Sequence, residues 1–62
     1  MPALNIYEEA RLFWRWAIEL RDARLVGAAA MINELCDDLE VLAMHSEFPS
    51  IRRACESVLA TA

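Results

Sequence analysis

Three side chains in the middle of the chain, Glu34, Asp38 and His45, are of the types that bind metal ions. At about 100° per residue they fall near one side of a helix. Helical metal sites use pairs such as Glu-x-x-His or His-x-x-x-His, and the sequence contains neither spacing among these residues. His45 lies about two turns beyond Asp38, where it more simply places a cation near the C-terminus of the helix. We therefore predict no metal site, and no residue pattern indicates a cofactor.

The chain contains no pattern typical of an enzyme active site. It has neither a G-x-S-x-G motif nor a P-loop, and the single histidine would need a nucleophile or carboxylate brought to it. The two cysteines are Cys36 and Cys55. Measured from a turn near Glu47, they lie ~16 Å and ~12 Å along two antiparallel helices, and this stagger strains a disulfide. We interpret both as small buried hydrophobic residues and predict a protein that is not an enzyme.

Two pairs of arginines are the candidate basic patches for nucleic acid. Arg11 and Arg15 face acidic residues of their own helix, and Arg52 and Arg53 form a patch of only two residues. Binding to nucleic acid needs a basic stripe that neutralises several phosphates. The sequence therefore favours partners other than nucleic acid, and a small dimeric helical RNA-binding regulator stays open only as an analogy of shape.

The first helix is apolar around an unusually large part of its circumference. From Ile6 to Leu20 the apolar arc covers about 240°, against the ~100° that an ordinary amphipathic helix needs. Trp14 and Trp16 lie about 160° apart, so their rings cannot form one stacking platform. A 62-residue chain has too few other residues to cover this arc, so we expect a homodimer, with an intrachain core as the alternative. The predicted dimer interface is Phe13, Trp14, Trp16 and Leu20.

The composition predicts an all-α fold. Hydrophobic residues make up 58% of the chain and charged residues 26%, with one Gly and two Pro. The apolar spacing predicts helices at about 5–21, 23–45 and 49–59. These would form an antiparallel helical hairpin with a short third helix in a single domain, 1–62, and dimerisation would complete the bundle.

Capping and turn residues set these boundaries. Asn5 is placed to cap the first helix, and Glu8 completes a capping box. We place the first turn at Asp22, which can cap the second helix, and keep Gly27 as the rival position. Pro49 is well placed as the first residue of the third helix. The predicted core seams of the second and third helices are Ala28, Ile32, Leu35, Leu39, Leu42, Ile51, Ala54, Cys55, Val58 and Leu59.

Charge is concentrated in the second helix. The segment from Leu25 to Ile51 has no Lys or Arg and carries five acidic residues, and the net charge of the chain is −4. Four of these acids form one helix face, into which two apolar side chains are set. Such a face is typical of an interface for a basic protein surface, and the alternative is a solvated face that keeps the protein soluble. The predicted partner-binding residues are Glu34, Asp37, Asp38, Glu40, Val41 and Met44.

The sequence thus predicts a small acidic regulator or inhibitor that binds a larger protein with a basic surface. All six basic residues are Arg, which fits a GC-rich bacterial or phage genome. If the protein is a phage inhibitor and the basic surface of its host partner normally binds DNA or RNA, the acidic helix face would act as a nucleic-acid mimic. The alternative function is a structural or assembly component of a larger complex. No apolar run approaches the ~18 residues of a membrane span, and no secretory signal pattern is present, so we expect a cytoplasmic protein. No motif identifies a family.

Overall fold

The computed structural model describes residues 4–61, and the two ends of the predicted domain 1–62 lie outside the described residues. The chain forms three helices, α1 (Ile6–Val26), α2 (Ala29–His45) and α3 (Pro49–Ala60). No strand occurs within residues 4–61, so the predicted all-α class is confirmed.

A capping box begins α1, as the sequence predicts. The Asn5 side-chain oxygen accepts a hydrogen bond from the Glu8 backbone N–H at 2.9 Å, and the Glu8 carboxylate accepts one from the Asn5 backbone N–H at 3.0 Å. Two backbone donors that a helix start leaves free are therefore satisfied by side chains. Glu8 and Glu9 also place negative charge at the positive end of the helix dipole.

The first turn lies at Gly27, and the prediction of a turn at Asp22 is wrong. Gly27 adopts a left-handed conformation with φ 70° and ψ 31°. Its N–H bonds to the Arg24 carbonyl at 3.3 Å, and the Ala28 N–H bonds to the Ala23 carbonyl at 3.0 Å. This pair of bonds is a Schellman motif, which satisfies the last carbonyls of the helix and needs a residue that tolerates positive φ. Asp22 remains inside α1, which is therefore five residues longer than the predicted 5–21 at its C-terminal end, while α2 starts at Ala29.

The second turn matches the predicted boundary. Pro49 occupies the first turn of α3, where its missing N–H costs no hydrogen bond. Ser46 links the end of α2 to the start of α3. The Phe48 N–H donates a hydrogen bond to the Ser46 hydroxyl at 3.1 Å, and the Arg52 guanidinium donates one to the Ser46 carbonyl at 2.9 Å. A buried polar residue is thus satisfied at the corner between α2 and α3.

One seam from each helix forms the core, with Leu20, Leu39 and Cys55 the most completely enclosed. Burial of a leucine side chain stabilises the fold by roughly 1.5–3 kcal/mol, so these contacts dominate the stability of a small domain. All the seam residues predicted on the second and third helices are buried or pack against the core. The buried hydrophobic residues are Phe13, Leu20, Ala23, Leu35, Leu39, Leu42, Ile51 and Cys55.

Candidate functional site

The exposed side of α2 carries the acidic residues that the sequence predicts for partner binding. We call this side, with Glu34, Asp37, Asp38 and Glu40, the acidic face, and all four residues are exposed. Val41 and Met44 lie in the same face and are 55% and 77% exposed. Because α2 contains no Lys or Arg, no cation of its own helix neutralises these carboxylates. The structure therefore leaves all six predicted residues accessible to a partner.

A groove of about 350 Å³ runs between α1 and α2 beside the acidic face. The α1 side contributes Glu9 and Trp16, and α2 with its last turn contributes Asp38, Val41 and His45. Because the connection between the helices is only two residues long, α1 and α2 run antiparallel, which brings the start of one beside the end of the other. Asp38 and Val41 belong to both the groove and the acidic face, so the two features form one continuous surface.

Glu9 is the residue that sequence reasoning missed. Its side chain is only 6% exposed, and its Oε1 atom has no hydrogen-bond partner among residues 4–61. A buried acceptor without a partner costs a protein about 1–3 kcal/mol. The signal was present in the sequence, because Glu9 lies about 40° from Phe13 on a helical wheel and so falls on the core side of α1.

The negative charge of Glu9 also acts on the buried thiol of Cys55. Burial raises the pKa of the Cys55 thiol above its ordinary value of 9.0, and the negative charges of Glu9 and then Glu56 raise it further. A raised pKa keeps the thiol neutral and unreactive. Cys36 is half-buried and Cys55 is buried, and both are free thiols that form no disulfide.

The structure divides the four residues predicted for a dimer interface between three environments. Phe13 and Leu20 lie in the core of the single chain, where neither is available to a second copy. Trp16 is half-buried and lines the α1–α2 groove. Trp14 is 62% exposed, and its ring meets that of Phe13 edge-to-face with centroids 5.5 Å apart. The apolar excess of α1 therefore divides into a covered part and an exposed part.

The exposed part of α1 forms a stripe at heptad-like spacing, which we call the outer stripe. Its apolar members are Tyr7, Trp14, Ile18 and Leu25, exposed by 79%, 62%, 45% and 79%. All four side chains are exposed to solvent, and neither α2 nor α3 buries them. Several large exposed apolar side chains aligned on one helix face are a candidate interaction site.

The arginines do not assemble a basic surface. Arg52 is half-buried and is engaged with the Ser46 carbonyl, which leaves Arg53 as the exposed member of that pair. Within the described part of the chain, the one ion pair is Arg21 with Asp22 at 3.3 Å, and both side chains are well exposed. An exposed pair of this kind contributes little to stability.

The described residues define a small all-helical protein of three helices. Across residues 4–61 no three His, Cys, Asp or Glu side chains are grouped to hold a metal ion. None of the three helices is both long enough and apolar enough to cross a membrane. Comparison with protein-family models, with curated proteins and with solved structures gives no match to this chain.

Proposed function

We propose that this protein is a small acidic, non-enzymatic regulator that binds a larger protein through the acidic face of α2. The observation that carries the proposal is the exposure of four carboxylates around two exposed apolar side chains, with no cation on the same helix. Apolar anchors within a charged rim are the usual anatomy of a protein interface. The partner surface that fits this face is basic.

Charge of one sign speeds the encounter with a basic partner and disfavours nucleic acid. Where the partner's basic surface normally binds DNA or RNA, occupation by the acidic face would block it, and the protein would act as a nucleic-acid mimic. We further propose that the protein acts in the cytoplasm and that it is a phage inhibitor of a host factor, a class that it resembles in size and charge.

We also propose that the protein forms a homodimer through the outer stripe of α1. The supporting observation is the exposure of Tyr7, Trp14 and Leu25, each more than half accessible to solvent. Large aromatic side chains at the centre of an interface commonly carry most of the binding free energy. A dimer of this kind is also the basis of the second candidate function, a structural or assembly component of a larger complex.

The regulator function is tested in two steps. The protein is used to capture its partner from a bacterial lysate, and the affinity of the protein and its variants for the purified partner is then measured. The face variant replaces three exposed acids of α2 that do not line the groove, and the control variant removes three exposed acids elsewhere, so both carry the same net charge. We expect the wild type and control to bind one basic protein, and the face variant to bind it at least about tenfold more weakly. Equal binding by all three would remove the acidic face from the function. The face variant is Glu34→Ala, Asp37→Ala and Glu40→Ala, and the control is Glu19→Ala, Glu47→Ala and Glu56→Ala.

A further inference from the structure

We propose that the α1–α2 groove binds the side chain of one arginine from the partner protein, with the guanidinium group held by the Glu9 carboxylate. The proposal rests on the proposed function for the identity of the partner. The groove itself is a property of this chain, and small guanidinium compounds test it separately.

The first step is the unsatisfied, buried acceptor of a residue that lines the groove. Glu9 lines the groove and is 94% buried, and its Oε1 atom accepts no hydrogen bond from any described residue. Nearly all buried polar atoms in folded proteins have a partner, so an exception indicates a bound water or ion, a ligand or a strained site. Because Glu9 also lines an open groove, a donor that enters the groove can satisfy this carboxylate once the Glu9 side chain turns toward it.

The second step is the electrostatic surroundings of that acceptor. Asp38 lines the same groove, and the acidic face continues from it along α2. The described side chains lining the groove include no Lys or Arg, so no basic side chain of residues 4–61 lines the groove with Glu9. His45 at the end of α2 is the other titratable group that faces the groove. A cationic ligand is therefore favoured over a neutral or anionic one.

The third step is the apolar part of the lining, which selects a guanidinium on an alkyl stem. Trp16 offers an aromatic surface, and Leu4, Val41 and Leu42 supply apolar walls. Guanidinium is planar, stacks on aromatic rings and is more weakly hydrated than ammonium, so it loses less on entering a partly buried site. Its paired N–H groups match a carboxylate, while the methylene stem packs on the walls.

Titration of the isotope-labelled protein with n-butylguanidinium, followed by nuclear magnetic resonance, tests the groove. We expect saturable binding in the millimolar range that shifts the Trp16 indole signal and leaves the Trp14 indole signal in place. n-Butylammonium should bind about threefold to tenfold more weakly, and n-butylurea, the neutral analogue, should not saturate. Equal binding of the ammonium compound would overturn the guanidinium assignment, and shifts absent from Trp16 would overturn the site.

Substitutions separate the carboxylate from the general charge of the protein. Glu9→Gln keeps the shape of the side chain and should weaken n-butylguanidinium binding at least about tenfold. Glu19→Gln changes the net charge equally on an exposed part of α1 and should leave binding unchanged. Asp38 is exposed and does not contribute to the core, so Asp38→Asn should fold normally and should weaken n-butylguanidinium binding about twofold to threefold. This variant tests the groove if Glu9→Gln does not fold. Unchanged binding in Glu9→Gln would contradict the proposal.

Binding of the captured partner distinguishes this inference from the proposed function. If the groove holds a partner arginine, Glu9→Gln weakens the partner at least about tenfold, comparably with the face variant. If the face variant loses the partner and Glu9→Gln keeps it, the regulator function stands and the arginine proposal is overturned. If n-butylguanidinium binds and neither variant affects the partner, the groove is a cation site and the proposed docking mode is wrong.

Discussion

The outer stripe of α1 and the acidic face of α2 are both exposed, but they differ in chemistry. The outer stripe presents apolar side chains along one helix, between acids and arginines of the same helix. The acidic face presents four carboxylates without a neighbouring cation on its helix, and it opens onto a groove with the buried Glu9 at its wall. The groove beside the acidic face is lined by Glu9, whose Oε1 is the one buried side-chain polar atom without a hydrogen-bond partner within residues 4–61.

Because the two surfaces differ in charge, we expect each to bind a different kind of partner. An apolar stripe with balanced charge is suited to a like surface on a second copy, because apolar area is buried without isolating a charge. An acidic surface with a buried carboxylate repels its own copy and suits a cation. The two surfaces lie on different helices, so substitutions on one should leave the other intact.

Trp14→Ala is expected to have the largest effect, on the proposed dimer. Removing an exposed aromatic anchor at the centre of the outer stripe should weaken association by about 2–4 kcal/mol, because hot-spot aromatics carry most of the interface free energy. Sedimentation equilibrium over a dilution series measures this. Met31→Ala, an exposed apolar residue outside the stripe, is the control and should leave the mass profile unchanged. A wild type that is monomeric at every concentration would contradict the dimer.

Glu9→Met is expected to stabilise the isolated protein, which would sharpen the distinction between the two surfaces. It replaces an unsatisfied buried carboxylate with an apolar side chain of similar length, so the free energy of unfolding should rise by about 1 kcal/mol. Urea denaturation gives the value, and Glu19→Met at an exposed position should change it by less than about 0.5 kcal/mol. A loss of stability in Glu9→Met would mean that the carboxylate has a stabilising partner.

The pH dependence of stability is expected to show a smaller effect that reports on the same carboxylate. Burial first, and then Glu9, raise the pKa of the Cys55 thiol above 9.0, so the folded state holds this proton more tightly than the unfolded state. Its contribution is therefore present below pH 9.0 and is lost as the pH rises through the folded-state pKa. Denaturation between neutral and alkaline pH measures the decline.

Cysteine variants identify the source of that decline. Cys55→Ala should flatten it, Glu9→Gln should reduce it, and Cys36→Ala should leave it as in the wild type. The same slope in Cys55→Ala and in the wild type would assign the alkaline decline to other groups.

Most of the fold could be predicted because its signals are local. The capping box needs only Asn5 and Glu8 three residues apart, and Pro49 marks a helix start through its fixed φ and missing N–H. The seams of α2 and α3 follow from helical spacing alone. Each of these features depends on residues within a few positions of one another, so no knowledge of tertiary structure is needed.

The errors arise where tertiary or backbone conformation decides. Asp22 has the side chain of a helix cap, but Gly27 alone adopts the left-handed conformation of the Schellman motif at no steric cost. Spacing alone also does not tell which apolar residues of α1 are covered by α2 and α3, and the structure places Phe13 and Leu20 of the predicted interface in the core of the single chain. The burial of Glu9 is likewise a tertiary property, because an acid in the first turn of a helix fits the helix dipole whether or not the core encloses it.

The most direct test of the central claim is the association rate of the captured partner at low and high salt. Steering by the acidic face predicts a fast rate for the wild type that falls steeply as salt rises. The variant with Glu34, Asp37 and Glu40 replaced by Ala should associate about tenfold more slowly at low salt and respond weakly to salt. Equal rates for wild type and variant, with no dependence on salt, would contradict the account.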